Sequence, residues 1–309
     1  MKVPFVDLKA QYKSIKEEID EAIQSVLDET AFIGGDVVES FEKSFADLYG
    51  VKHCISTANG TDSLYIIMKM LGIGPEDEVI TVANSWISSS ETISQTGAKP
   101  VFVDIDPVFY TIDENEIESK ITDKTKAIIP VHLYGQVCDM DKIMFLAKKY
   151  NLKIIEDCAE FHGVKYKGKK VGSIGDFGCF SFFSNKTITC GEGGMVVTNN
   201  TSLAEKARSF KNLCYGKVNK FLHDDIGFNY RLPNISAAMG YAQLENINEI
   251  FSQKERIYKR YKEKLKNIDG LNIPKIEEYN SNFIMWVFNL YLDDKFKISR
   301  DELTKALRE

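Results

Sequence analysis

Apolar positions recur with helical spacing at both ends of the chain and gather into short runs between them. Over residues 12–28, Ile15, Ile19, Ile23 and Val26 lie three or four apart with charges between them, which predicts a helix with one buried stripe. Residues 37–49 repeat the pattern with Val38, Phe41, Phe45 and Leu48, and Gly50 stops it. An alternation then begins. Helices are predicted over 61–71, 88–95, 114–120 and 140–150, and strands over 78–82, 101–104, 127–131 and 153–157. Runs 179–183 and 195–198 read as two further short strands, the second shortly after a glycine-rich turn.

After residue 200 the rhythm changes. Helices are expected at about 202–212 and 235–248, then a longer one through about 265 with Ile250, Ile257, Tyr261 and Leu265 on one face. Residues 282–292 read as a strand, and Ser299 with Glu302 forms a capping-box pattern that opens a last helix. The βα rhythm predicts an α/β fold. Its large domain, residues 1–245, is expected as three α/β/α layers around a mostly parallel sheet. A small α+β domain, incomplete in outline, is expected over 246–309.

Composition narrows the function classes. The 309 residues are 44% hydrophobic and 27% charged, an ordinary globular balance with room for a substantial core. A formal charge of −6 gives no electrostatic footprint for nucleic acid or for an anionic membrane. The six cysteines form no C-x-x-C pair and the four histidines are scattered, so zinc-site spacing is absent and no metal is expected. Such cysteines read as buried thiols in a reducing compartment. No apolar run approaches bilayer length, and MKVPFVDLKAQYKSIKEEID lacks the apolar core of a signal peptide. The expected location is cytoplasmic.

Four places could carry chemistry together. Asp157 ends the apolar strand KIIED, and ligands of open α/β sheets bind outside the carboxyl ends of the strands. A carboxylate there can hold a proton on a pyridine nitrogen. Lys186 lies between an apolar strand and a glycine-rich turn in SFFSNKTITCGEGG, where desolvation lowers an amine's pKa, and Ser181 precedes it by five residues. Gly60-Thr61-Asp62 opens a helix whose free N–H groups favour a phosphate. Trp86 follows the next strand, where an indole can stack on a flat heteroaromatic ring. Singly, each has a plainer reading: a surface lysine, a strand-end cap, a turn with its N-cap, a core tryptophan. Their order and separation favour the joint one.

The stretches PFVDLKAQY, ANGTDSL, GPEDEVIT, GAKPVFVDID, KTKAIIPVHLYGQVCDMD, IIEDCAEFHGVKYKGKKVGSIGDFGCFSFFSNK, GEGGMVVTN and GFNYRLPNISAAMG run from Pro4 to about Gly240. Through them the chain resembles the DegT/DnrJ/EryC1/StrS family of pyridoxal-phosphate (PLP) sugar aminotransferases, members of the fold-type I aspartate aminotransferase superfamily. The resemblance implies PLP as cofactor, with Lys186 as its Schiff-base lysine and Asp157 as partner of the pyridine nitrogen. It also implies Gly60, Thr61 and Ser181 as the phosphate cup and Trp86 as the stacking aromatic. Glu160 falls where the family usually has glutamine, near the pyridine hydroxyl. Asn229, in GFNYR, matches an asparagine that reaches the phosphate in the neighbouring subunit, which implies a homodimer with shared active sites.

The implied reaction moves an amino group from an amino acid, glutamate, to a nucleotide-linked keto-sugar. PFVDLKAQY and FIGG resemble enzymes of 3-keto sugars. Glu160, NKTITCGEGG and NFIMWVF resemble 4-keto enzymes of the perosamine-synthase type, and these lie nearer the chemistry. Family members that deoxygenate sugars carry histidine in place of the lysine, so Lys186 argues against that branch. The alternative from another class is a non-catalytic PLP- or sugar-binding regulatory protein. Family members generally continue for several dozen residues beyond the position of KALRE.

Overall fold

The computed structural model describes residues 3–216, 218–219, 221–281 and 284–309. Its helices are α1 Leu8–Ser14, α2 Lys16–Asp28, α3 Asp36–Tyr49, α4 Gly60–Met70, α5 Ser88–Gln95, α6 Glu114–Ile117, α7 Met140–Tyr150, α8 Thr201–Phe210, α9 Asn234–Glu245, α10 Ile247–Leu265 and α11 Arg300–Arg308. Its strands are β1 His53–Thr57, β2 Glu78–Val82, β3 Lys99–Val103, β4 Thr125–Ile128, β5 Lys153–Asp157, β6 Lys165–Tyr166, β7 Lys169–Lys170, β8 Phe177–Ser181, β9 Gly194–Thr198, β10 Leu271–Asn272, β11 Asn280–Ser281 and β12 Tyr291–Leu292.

The main sheet has seven strands in the order β1-β9-β8-β5-β4-β2-β3. From β8 to β3 every pairing is parallel, and β9 runs antiparallel to both of its neighbours. Side chains of a strand alternate between faces, and the core divides accordingly. Ile80, Val82, Ile128, Ile154, Phe180, Met195 and Val197 join Phe41 and Phe45 of α3 on one face. Val79, Ala127, Ile155, Phe177, Cys179 and Val196 join Leu64 and Ile67 of α4 and Ala204 and Ala207 of α8 on the other. This is the expected three-layer α/β/α arrangement around a mostly parallel sheet.

A buried ionic knot fastens the antiparallel edge. Glu42 of α3 accepts from the Ser56 N–H (2.8 Å) and hydroxyl (2.8 Å), from Lys211 (3.1 Å) and from Arg208. Burial alone would raise the Glu42 pKa, but Lys211 and Arg208 outweigh it and hold the carboxyl below its usual value. α3, β1 and the end of α8 are thus joined through one carboxylate.

Two expectations need correction. The helix over 12–28 is broken: Ile15 leaves helical backbone between α1 and α2, and its side chain packs with Ile19 and Ala242. The strand over 282–292 is not formed as such. Asn282 and Phe283 lie outside the described residues, and of the rest only β12 pairs, with β10. A strand would put the adjacent Ile284 and Met285 on opposite faces, yet both are buried. The last helix opens on the capping box of Ser299 and Glu302, as expected.

Candidate active site

The site is built at the carboxyl ends of the parallel strands. β5 is held rigidly there: Asp157 N–H donates to Pro130 C=O (2.9 Å), and His132 N–H donates to Asp157 C=O (3.1 Å). The preceding Glu156 is fully buried and accepts from the N–H groups of Gly172 (2.8 Å), Ile174 (2.7 Å) and Gly175 (2.7 Å). On this frame the Asp157 carboxylate is buried with two donors, the Ser89 hydroxyl (2.8 Å) and Ala159 N–H (3.1 Å). Ser89 shares a further hydrogen bond with Ser85 (2.8 Å). Two donors leave lone pairs on the carboxylate for a third partner.

Lys186 follows β8 in a turn closed by its N–H to Phe183 C=O (2.9 Å). Its side chain is largely covered. Burial lowers the amine's pKa, while the charges of Glu160 and Asp157 push it back up. Glu160 is the counterpart: burial raises its pKa to about 7, against the pull of Lys186 and of a Tyr134 N–H at 3.3 Å. The sequence points to Lys186 and Asp157 as parts of one site and the resemblance adds Glu160; in the fold the charges of Glu160 and Asp157 both act on the Lys186 amine. Sequence reasoning missed Ser89, the second residue of α5, and Trp286. The Trp286 ring lies under the Lys186 ammonium at 3.7 Å to the centroid, and its indole N–H donates to Asn185 C=O (2.8 Å). Serine in the first turn of a helix behind Trp86 was the available signal for Ser89. For Trp286 the sequence offered the segment NFIMWVF, whose resemblance to 4-keto enzymes gave the tryptophan no role.

Asn59 caps α4 by accepting from Asp62 N–H (2.8 Å), while the first-turn N–H groups of Gly60 and Thr61 have no intrahelical acceptor. Gly60 faces Ser181: a Cβ built on Gly60 would lie 3.0 Å from the Ser181 Cβ. Three of the expected phosphate-cup residues are therefore neighbours, since the Thr61 hydroxyl stands beside them bonded to Ser88 (2.7 Å). Trp86 lies between β2 and α5 with its side chain exposed, tied to Ser89 through its carbonyl (3.2 Å). Asn229 is also exposed; its backbone bridges to Asn212, and the next residue, Tyr230, accepts from Ala58 N–H (2.9 Å).

These residues fit PLP. A largely covered amine lies in the field of two carboxylates, one of them with lone pairs left for a ring N–H, and a helix N-terminus with a close Gly60–Ser181 contact can take a phosphate. A second cluster, His132, Glu156 and Cys158, places possible ligand atoms within 4.8 Å of one another. Its histidine and its carboxylate are already engaged. His132 Nδ1 accepts from Cys138 N–H (3.2 Å), so Nε2 carries the proton and donates to Glu156 (3.2 Å). It is a strut behind Asp157.

Residues 13–309 match the DegT/DnrJ/EryC1/StrS aminotransferase family. The chain is 43% identical to the GDP-perosamine synthase of Caulobacter vibrioides over 275 residues, 89% of this chain and 74% of that protein. It is 42% identical to the UDP-2-acetamido-2-deoxy-3-oxo-D-glucuronate aminotransferase of Pseudomonas aeruginosa over 279 residues, 90% of this chain and 77% of that protein. Among solved structures, S. venezuelae DesV in complex with a ketimine intermediate superposes with a TM-score of 0.93 at 35% identity, covering 99% of this chain and 81% of its own.

Proposed function

The chain belongs to the DegT/DnrJ/EryC1/StrS aminotransferase family, and from that premise we propose that it moves the amino group of glutamate to C4 of a nucleotide-linked 4-keto-6-deoxy sugar. Its cofactor is pyridoxal 5'-phosphate. The observation that carries the reading is the largely covered Lys186 amine in the field of the Glu160 and Asp157 carboxylates, with Trp286 against it. Similarity to the P. aeruginosa 3-oxo sugar enzyme at nearly equal identity supports a second reading, amination at C3.

Lys186 is the residue that binds the cofactor covalently. Gly60, Thr61 and Ser181 hold its phosphate, Trp86 covers its ring, Asp157 holds a proton on the ring nitrogen and Glu160 lies by the ring hydroxyl. Bound there, the cofactor supplies an aldehyde to receive the amino group and a ring that withdraws electrons from the substrate carbon. The protein's part is proton traffic and exclusion of water. The Lys186 amine, its pKa lowered by burial, takes the proton from the donor's carbon and returns one to the sugar's. The Ser89 hydroxyl and Ala159 N–H fix Asp157 in the orientation that keeps its charge on the ring nitrogen.

Asn229 acts across a homodimer, completing the phosphate site of the partner subunit. Large apolar side chains exposed on nearby segments, Phe32, Ile33, Ile87, Leu222 and Ile226, favour such an interface. Residues 1–245 form the cofactor-binding unit and 246–309 a smaller one. No helix among the described residues is long and apolar enough to cross a membrane. Six buried, unpaired cysteines suit the cytoplasm.

Glutamate and a panel of 3-keto and 4-keto sugar nucleotides test the reading, with products identified by mass and NMR. A 4-amino sugar is expected. Amination at C3 establishes the second reading, and no amination of any substrate defeats both. Borohydride reduction of the loaded protein is expected to leave the pyridoxyl group on the peptide containing Lys186.

A further inference from the structure

We propose that Trp286 is the positioning residue for Lys186: its indole face holds the free ammonium and its N–H pins the peptide that carries it, keeping the amine at the site whenever it is not joined to the cofactor. The proposal rests on the reading of Lys186 as the working amine.

Trp286 lies 101 positions after Asn185, yet both of its polar features converge on one place. Its Nε1–H donates to the Asn185 carbonyl (2.8 Å), the oxygen of the peptide bond that ends at Lys186 N. Its ring centroid is 3.7 Å from Lys186 Nζ, well inside the range at which an ammonium feels an aromatic quadrupole. A tryptophan that served only to fill space would need one acceptor for its N–H and apolar neighbours for its ring. Here the ring receives a charge.

The rest of the segment explains how the indole is held. Ile284 and Met285 are both 5% exposed and anchor the backbone just before Trp286 in the core. Lysine carries a flexible four-carbon stem with many rotamers. Fixing the stem at its peptide end and its ammonium end removes most of that freedom before the chemistry begins.

The contact also tunes the amine. Burial lowers the Lys186 pKa, because the ammonium loses water. The indole face returns part of what the water supplied, as Glu160 and Asp157 do by charge. Replacing the ring by an aliphatic group of similar cover removes that support and tips the amine towards its neutral form. A purely structural role, lost with the indole's bulk, would instead admit water and raise the amine's pKa.

The test uses the full chain without added cofactor. Trace acetylation across a pH series, read by peptide mass spectrometry, gives the midpoint at which the Lys186 amine becomes reactive. Trp286→Leu is expected to lower that midpoint by about half to one pH unit. Trp286→Phe, which keeps a ring face, is expected to restore most of the shift. An unchanged or raised midpoint in Trp286→Leu overturns the proposal. Should that variant fail to fold, Lys186→Met serves instead. The two tryptophans separate by acrylamide quenching, since Trp86 is 77% exposed and Trp286 is largely covered. Loss of the ammonium is expected to change the emission of the shielded component alone; unaltered emission overturns the proposal. Borohydride labelling reads separately whether Lys186 carries the cofactor, so failure of that assignment is distinguishable from failure of this one.

Discussion

At the scale of single residues, the segment Glu160-Phe161-His162 places two titratable groups in opposition. His162 is buried beside Phe180 and Phe182, with ring centroids at 6.0 and 5.7 Å, and neither ring nitrogen has a partner among the described residues. Burial, then repulsion from Lys186 and Lys254, pushes its pKa from 6.5 down to about 3. Between those values the unfolded chain binds a proton that the folded chain refuses. Stability from this group therefore falls as pH drops below 6.5 and is lost progressively towards 3. Glu160 acts with the other sign. Its pKa rises from 4.5 to about 7, so the folded chain keeps a proton that the unfolded one releases, and stability falls as pH climbs through that window. His162→Phe keeps an aromatic ring among aromatic rings and removes only the first effect. Thermal melts between the two His162 values are expected to show a shallower acid-side fall in the variant, by up to ~1.4 kcal/mol per pH unit. The same pH slope in variant and wild type would mean that His162 finds a proton partner in solution.

At the scale of elements, the turn proposed to hold the phosphate depends on how β9 approaches α4. A Cβ at Gly194, the first residue of β9, would lie 2.3 Å from the Asn59 carbonyl oxygen and 2.6 Å from Thr57 Oγ1. The nearest obstacle is backbone, so it cannot rotate aside. Gly194→Ala is expected to push the Asn59–Gly60 turn away from Ser181. Overpacking of this kind costs about 1–3 kcal/mol of stability, and titration is expected to show cofactor affinity falling as well. Stability lost with unchanged affinity would separate the turn from the phosphate. The sequence exposed Gly194 only as part of GEGG, a glycine-rich turn, because the reason for the glycine is a strand 135 positions from Asn59 in the chain. The same division runs through the fold. β2, α5, α7 and β5 match their expected residues end to end, since each is an apolar run or stripe bounded by turn residues. β1 was not anticipated: HCIST is short and polar at its end, and the buried Ser56 has its polar groups satisfied there by Glu42 and Lys211. Lys186, Asp157 and the Gly60–Thr61 turn were named as candidates from their order and separation and from the family resemblance. Ser89 and Trp286 were not, because what makes them matter is a contact made 68 or 101 positions away.

At the scale of the whole molecule, the proposed homodimer would make the site's completeness turn on Asn229. Its neighbour Tyr230 is tied to Ala58, next to the Asn59 cap, so the backbone lies close to this chain's own turn. The side chain is nevertheless exposed, as a residue reaching into a second subunit must be. If the reach is across a two-fold interface, the monomer lacks part of its phosphate site. A ligand that binds the assembled form preferentially then stabilises the dimer by mass action, so sedimentation is expected to show tighter association with cofactor present. Mixed subunits give the sharper result. In a heterodimer of Lys186→Ala with Asn229→Ala, one site takes both defects and the other takes neither. Two impaired parents are expected to recover up to about a quarter of wild-type activity once their subunits redistribute at random, since half the dimers are mixed and each has one whole site. If subunit exchange is demonstrated and activity does not return, Asn229 serves the turn of its own chain, and the dimer is not needed to complete the phosphate cup.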